Sequence, residues 1–114
     1  MSQQLEDRFL MYAKSVRDFC VKLKKDVINI VYIRQLIRAS SSVGANYIEA
    51  SDDSGKRDEK LKIKISRREA KESIYWLHLI LIYNDVSLET GRAKLIDEAS
   101  QIRRILSAIL NKLG

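Results

Sequence analysis

The sequence contains no proline, one cysteine, one histidine and four glycines in 114 residues. Each scarcity excludes something. A sheet protein of this length turns often, and its turns draw on Gly, Pro and Asn-Gly. A helical bundle needs only a few connections, so the lack of breakers points to helices. The lone Cys20 excludes an internal disulfide and points to a reducing compartment. One Cys and one His do not make a zinc site. Gly44, Gly55, Gly91 and Gly114 are scattered, so there is no glycine-rich phosphate loop. The start, Met1 to Arg8, lacks the basic residues and apolar run of a secretory leader. The most apolar stretch, Ile74 to Tyr83, contains His78 and falls far short of the roughly 20 residues that span a membrane. The expectation is a cytoplasmic protein with no membrane segment.

What is present is apolar residue at helical spacing. With 46% apolar and 32% charged residues, there is enough apolar surface to offset the entropy of ordering. The length fits a single domain over residues 1–114. Four segments follow. Leu5 to Lys25 carries Leu5, Phe9, Tyr12, Ala13, Val16, Phe19, Cys20 and Leu23 at three- and four-residue steps, which is one face of a helix. Asn29 to Ser51 carries Ile33, Leu36, Ile37, Val43, Gly44, Tyr47 and Ile48, with Asp26 or Asn29 available as its cap. Its centre, Ala39 to Ala45, is a run of small residues, read here as close packing of two helix backbones. Asp52 to Gly55 is a loop by its turn residues. Lys56 to Tyr83 or Asn84 is a long helix, charged in its first half and apolar almost all round in its second. That second half should be covered on several sides, by the bundle and by a neighbouring subunit. Ser87 or Thr90 caps the last segment, in which Leu88, Leu95, Ala99, Ile102, Leu106, Ile109 and Leu113 form the stripe. Four amphipathic helices on short connections predict an all-α fold, an antiparallel up-and-down four-helix bundle.

The residues needed for catalysis do not converge in this sequence. His78 sits among Trp76, Leu77, Leu79 and Ile80, and Cys20 on an apolar stripe, so both read as structural. No catalytic residue, metal ligand or cofactor site is expected. The net charge of +6 favours an acidic partner, whether nucleic acid, membrane or protein. The charge has one organised feature. At about 100° per residue, Lys56, Lys60, Lys64, Arg67 and Lys71 fall within roughly an 80° sector of the third helix. Arg57 and Arg68 flank this stripe, and Asp58, Glu59 and Glu69 partly balance it. Such a row meets phosphates by salt-sensitive, sequence-independent contacts; the alternative is a merely solvated face. No aromatic residue interleaves it, so base stacking is not indicated. Glu72 lies near the core and wants a partner. Arg38, Asn46, Glu49 and Glu72 are read as a structural polar network between the second and third helices. The rival, a paired-carboxylate acid/base or two-metal site, lacks histidine ligands.

Two motifs carry a resemblance. Gln35-Leu36-Ile37-Arg38-Ala39-Ser40-Ser41-Ser42-Val43-Gly44-Ala45-Asn46-Tyr47-Ile48-Glu49-Ala50 is similar to the signature of the bacterial 23S rRNA-intervening sequence proteins, also called the S23 ribosomal protein family. Lys60-Leu61-Lys62-Ile63 and Glu69-Ala70-Lys71-Glu72-Ser73-Ile74-Tyr75-Trp76-Leu77 match in order and spacing, and the likeness runs from about Leu5 to Leu113. The resemblance implies an antiparallel four-helix bundle that assembles as a homo-pentamer. Members are often encoded inside insertions in 23S rRNA genes, so the family name records a gene location more than a mechanism. A related branch, the accessory variability protein of diversity-generating retroelements, is a basic pentamer that binds reverse transcriptase and nucleic acid. This sequence departs by lacking a proline between the first two helices and by having Ile48 where the family is often basic. The reading is a non-enzymatic homo-oligomer that binds RNA or DNA through Lys56, Lys60, Lys64, Arg67 and Lys71. The alternative is a protein-binding scaffold that docks a partner such as a reverse transcriptase.

Overall fold

The computed structural model describes residues 2–50 and 55–114. It contains four helices: α1 Gln3–Val21, α2 Val27–Ala50, α3 Lys56–Leu79 and α4 Val86–Leu113. The expected Asp52 to Gly55 loop lies outside the described residues except for Gly55, and so does Ser51. Consecutive helices run antiparallel. α2 lies between α1 and α3, α4 closes the ring against α3 and α1, and the diagonal pairs are not in backbone contact. At one end the Ser2 amide donates to the Tyr47 hydroxyl at 3.0 Å and Lys60 reaches the Gly114 carbonyl. At the other, Asn29 of α2 bonds Leu81, just past the end of α3.

The periodic residues form the core. Phe9, Tyr12 and Val16 of α1, Leu36 and Val43 of α2, Ile63 and Leu77 of α3, and Ile102 and Leu106 of α4 are sealed from solvent. Phe9 meets Tyr47 edge-to-face with ring centroids 5.0 Å apart. The small-residue run of α2 has neighbours on both sides. A Cβ on Gly44 would lie 3.3 Å from the Phe9 Cβ, and Ser66 Oγ donates to the Val43 carbonyl at 2.7 Å. Ile37 and Ile48, expected on the inner stripe, face outward instead (40% and 49% exposed). Ala39 and Ser40 take the inner positions together with Leu36, Val43 and Tyr47, the set that the helical period places on one side.

The boundaries differ from the sequence expectation, and hydrogen bonds explain why. α1 stops at Val21 rather than Lys25. Lys25 folds back, its Nζ donating to the carbonyls of Cys20, Val21 and Leu23 at 2.7–3.1 Å, which satisfies helix-end acceptors and the negative end of the dipole. Asp26 caps α2, its Oδ1 accepting from Ile28 and Asn29 at 3.1 and 2.8 Å. Asp85, not Ser87 or Thr90, caps α4 through the Leu88 amide at 3.0 Å; Thr90 already donates back to the Val86 carbonyl inside the helix. The largest difference is α3, which ends at Leu79 although Ile80 to Tyr83 carries no breaker. Asn29, fully buried, takes both backbone groups of Leu81. Its Oδ1 accepts from the Leu81 amide and its Nδ2 donates to the Leu81 carbonyl, each at 2.9 Å, with a third bond to the Lys24 carbonyl. Ile80 leaves the helical region (φ −54°, ψ 132°), and Tyr83 and Asn84 turn the chain through positive φ. The C-terminal half of α3 is also more open than its composition implied: Ser73 and Leu77 are buried, yet Tyr75 is 61% exposed and His78 faces solvent.

Candidate nucleic-acid interface

The five cations of the α3 stripe sit on the outward side of that helix, Lys56, Lys64 and Lys71 exposed and Lys60 and Arg67 half-buried. α3 turns this side toward α4. Lys64, Arg67, Arg68 and Lys71 line a groove of about 300 Å³ together with Arg103 and Ser107 of α4. Arg67 spans it, Nη1 donating to Ser107 Oγ at 3.2 Å. Arg104 lies beside Arg103 and Ser107 in an adjoining depression of α4.

Among the described residues, Arg68 alone of the cations lining this groove has an ion-pair partner, Glu69 at 3.8 Å. Among the described residues, no ion pair involves Lys64, Arg67, Lys71, Arg103 or Arg104. Arg103 Nε is buried without an acceptor, although buried polar groups are ordinarily bonded. A carboxylate expected to soften the stripe, Glu69, is shared between Arg68 at its flank and Arg38 of α2. Glu69 is 5% exposed, on the α2 side, with its Oε2 3.0 Å from Arg38 Nη1. Asp58 and Glu59 occupy the first turn of α3, where the helix dipole favours negative charge. Lys56 lies at the helix start, away from α4, and Lys60 is turned onto the Gly114 carbonyl. The structure therefore brings Lys64, Arg67 and Lys71 together on one groove, with Lys60 beside Lys64 in an adjoining depression and Lys56 one turn further toward the helix start.

The proposed polar network divides in two. Arg38 of α2 pairs with Glu72 and Glu69 of α3, and Glu72 also accepts from the Trp76 indole at 3.2 Å. Asn46 and Glu49 stand outside it. Asn46 donates to the Ser42 carbonyl one turn back at 2.8 Å. Glu49 pairs with Lys62 at 2.7 Å, which holds the Lys62 pKa above its usual value. The two lie about two and three turns along α2 from Arg38, too far for one cluster.

Cys20 and Tyr12 belong to the core. Burial pushes the Cys20 thiol up to about 11 and the Tyr12 phenol up to about 12. Among the described residues no cluster of three metal-ligating side chains forms, and no helix is long and apolar enough to cross a membrane.

Arg103 and Arg104 were missed in the sequence because only the register of α4 against α3 places them beside the stripe. Tyr75 and His78 were missed despite a visible signal. They follow Lys71 by four and seven residues, so they continue the same outward face by one and two turns.

These features define a basic, antiparallel four-helix bundle with a cation-lined groove between its last two helices. The chain belongs to the 23S rRNA-intervening sequence protein family, whose sequence profile matches residues 7–108. Its structure is similar to the crystal structure of a protein of unknown function from the S23 ribosomal protein family of Bacteroides thetaiotaomicron. The TM-score is 0.78 at 26% identity, covering 92% of this chain and 96% of that one. Comparison with curated proteins finds no significant match.

Proposed function

We propose that the protein is a non-enzymatic module that binds nucleic acid electrostatically through the α3–α4 groove. The observation that carries this reading is the grouping of Lys64, Arg67, Lys71 and Arg103 on one groove with no acidic partner among the described residues. Clustered cations without carboxylates repel one another, and that repulsion is relieved by a polyanion. Surface lysines present only for solubility are normally interspersed with acids. Lys56 and Lys60 extend the cationic row toward the N-terminal end of α3.

The test is binding of the purified protein to RNA and DNA at low salt, beside a Lys64→Glu, Arg67→Glu, Lys71→Glu variant. The variant should fold, because these side chains are outside the core, and should lose binding. Equal binding by the two proteins would refute the reading.

A second feature supports self-assembly, with five copies expected. Val27, Ile30, Val31, Ile37 and Ile48 recur on the outward face of α2 and are 37–83% exposed. The group Val27, Ile30, Val31 and Ile37, with Arg34 exposed among them, is an apolar patch of the kind that marks a protein contact. The same patch supports the alternative reading, a scaffold that docks a partner such as a reverse transcriptase. Sedimentation of a Val31→Glu, Ile37→Glu variant separates the two. Dissociation to monomers places the face between copies, whereas an unchanged assembly leaves it for a different protein.

A further inference from the structure

The cationic row does not end at Lys71. One turn further along the same face stands Tyr75, 61% exposed, although a tyrosine ring in a bundle ordinarily buries most of its apolar area. Its ring is held in place: Trp76 packs against it edge-to-face with centroids 5.4 Å apart. Trp76 is in turn fixed by Tyr32, at 6.1 Å, and by its bond to Glu72. The outer surface of Tyr75 is thus a pre-oriented aromatic plate at the end of a row of cations. The step from Lys71 to Tyr75 is about 6 Å along the helix, the scale that separates a phosphate from the base of the same nucleotide.

Duplex nucleic acid presents only backbone to such a surface, because its bases are stacked inside. A single strand presents both, and single-strand binders combine a cationic track with aromatic plates on which bases stack. We infer that the groove takes single-stranded nucleic acid, with phosphates on Lys64, Arg67, Lys71 and Arg103 and a base stacked on Tyr75. This rests on the reading of the groove as a phosphate track and adds to it the class of strand. The solvent-facing face of α3 therefore divides by chemistry along its length, into phosphate contacts and then a base contact. No base-edge hydrogen-bonding group is involved, so the contact selects unpaired nucleotides over paired ones without selecting a sequence.

The experiment uses oligothymidylate, the same strand made of abasic residues, and a DNA hairpin of equal charge. Each is titrated into wild type, Tyr75→Ala and Tyr75→Phe, with binding followed by anisotropy of a labelled strand and by the fluorescence of Trp76, the one tryptophan in the chain. Wild type should bind oligothymidylate more tightly than the abasic strand and the hairpin, and only oligothymidylate should quench Trp76. Tyr75→Ala should lose about 5- to 150-fold in affinity for oligothymidylate and nothing for the abasic strand, while Tyr75→Phe retains the wild-type preference. If wild type binds the base-bearing and abasic strands alike, with steep salt dependence, the stacking contact is refuted and the phosphate track survives. If Tyr75→Ala weakens both strands equally, the ring acts through the fold and the inference fails. If no strand binds at low salt, the track fails and the inference with it.

Discussion

Asn29→Ala should destabilise the protein more than any single change on its surface. The side chain is fully buried and makes three hydrogen bonds to backbone, to the Lys24 carbonyl and to both groups of Leu81. Truncation leaves one donor and two acceptors without their partner. Each such loss costs about 1–3 kcal/mol when water cannot substitute. Leu81 is 39% exposed and its groups recover part of this through solvent, so a total of about 3 kcal/mol is expected. For a domain of this size that lowers the melting temperature by about 10–15 °C, measured by far-ultraviolet circular dichroism. Asn29→Asp gives a sign test. One carboxyl oxygen still accepts from the Leu81 amide, but the other faces two carbonyls. Only the protonated form donates there, so the folded state raises the pKa of the introduced carboxyl. The variant should then lose stability relative to wild type as pH rises from the usual carboxylate pKa through the raised one, and should have recovered it fully once pH falls to the usual value. Melting of Asn29→Ala within about 2 °C of wild type would show that the end of α3 is set by something other than this clamp.

Other outcomes follow from the same structure. Ser73 Oγ donates to the Ala70 carbonyl at 2.8 Å, so its contact with the Tyr12 hydroxyl at 2.7 Å uses the tyrosine proton. Ser73→Ala therefore strands a buried hydroxyl and should cost about 1–3 kcal/mol, whereas Tyr12→Phe strands nothing and should cost less than about 1 kcal/mol; denaturant titration of both variants checks the asymmetry. Gly44→Val should cost about 1–3 kcal/mol by overpacking against Phe9, read in the same titration. The Asp26 carboxyl is held below its usual range chiefly by the Asn29 amide and then by the Tyr83 hydroxyl. Its contribution is present above the ordinary carboxylate pKa and is lost as pH falls through the depressed value. Asp26→Asn should thus melt below wild type at neutral pH, and the gap should close in acid.

Helix number, order and most of the core were legible because apolar spacing is a local property of the chain. Phe9, Tyr12 and Val16, or Ile102 and Leu106, need only a period of 3.6 to be placed inside. The end of α3 was not legible, since Ile80 to Tyr83 has helical propensity and is pulled straight by Asn29, more than fifty residues earlier. The inner face of α2 was misjudged at Ile37 and Ile48 because apolar residues stand on more than one side of that helix, and the helical set Leu36, Ala39, Ser40, Val43 and Tyr47 is the one that faces inward. For the site, the α3 row was visible in the spacing of Lys64, Arg67 and Lys71. Arg103 completes it only through the register of two helices, which no one-dimensional pattern carries. Glu69 balances the flank of the row only in part: its Oε1 lies 3.8 Å from Arg68 Nη2, while Arg38 of α2 holds its Oε2.

The most direct test of the central claim is the salt dependence of binding to a single strand. Each phosphate neutralised contributes about −0.7 to the slope of log K against log salt. Four contacts, at Lys64, Arg67, Lys71 and Arg103, should give a slope of about −3, and Arg103→Ala should reduce it by about 0.7. A slope near zero, or one that Arg103→Ala leaves unchanged, would contradict the assignment of the α3–α4 groove as the nucleic-acid contact.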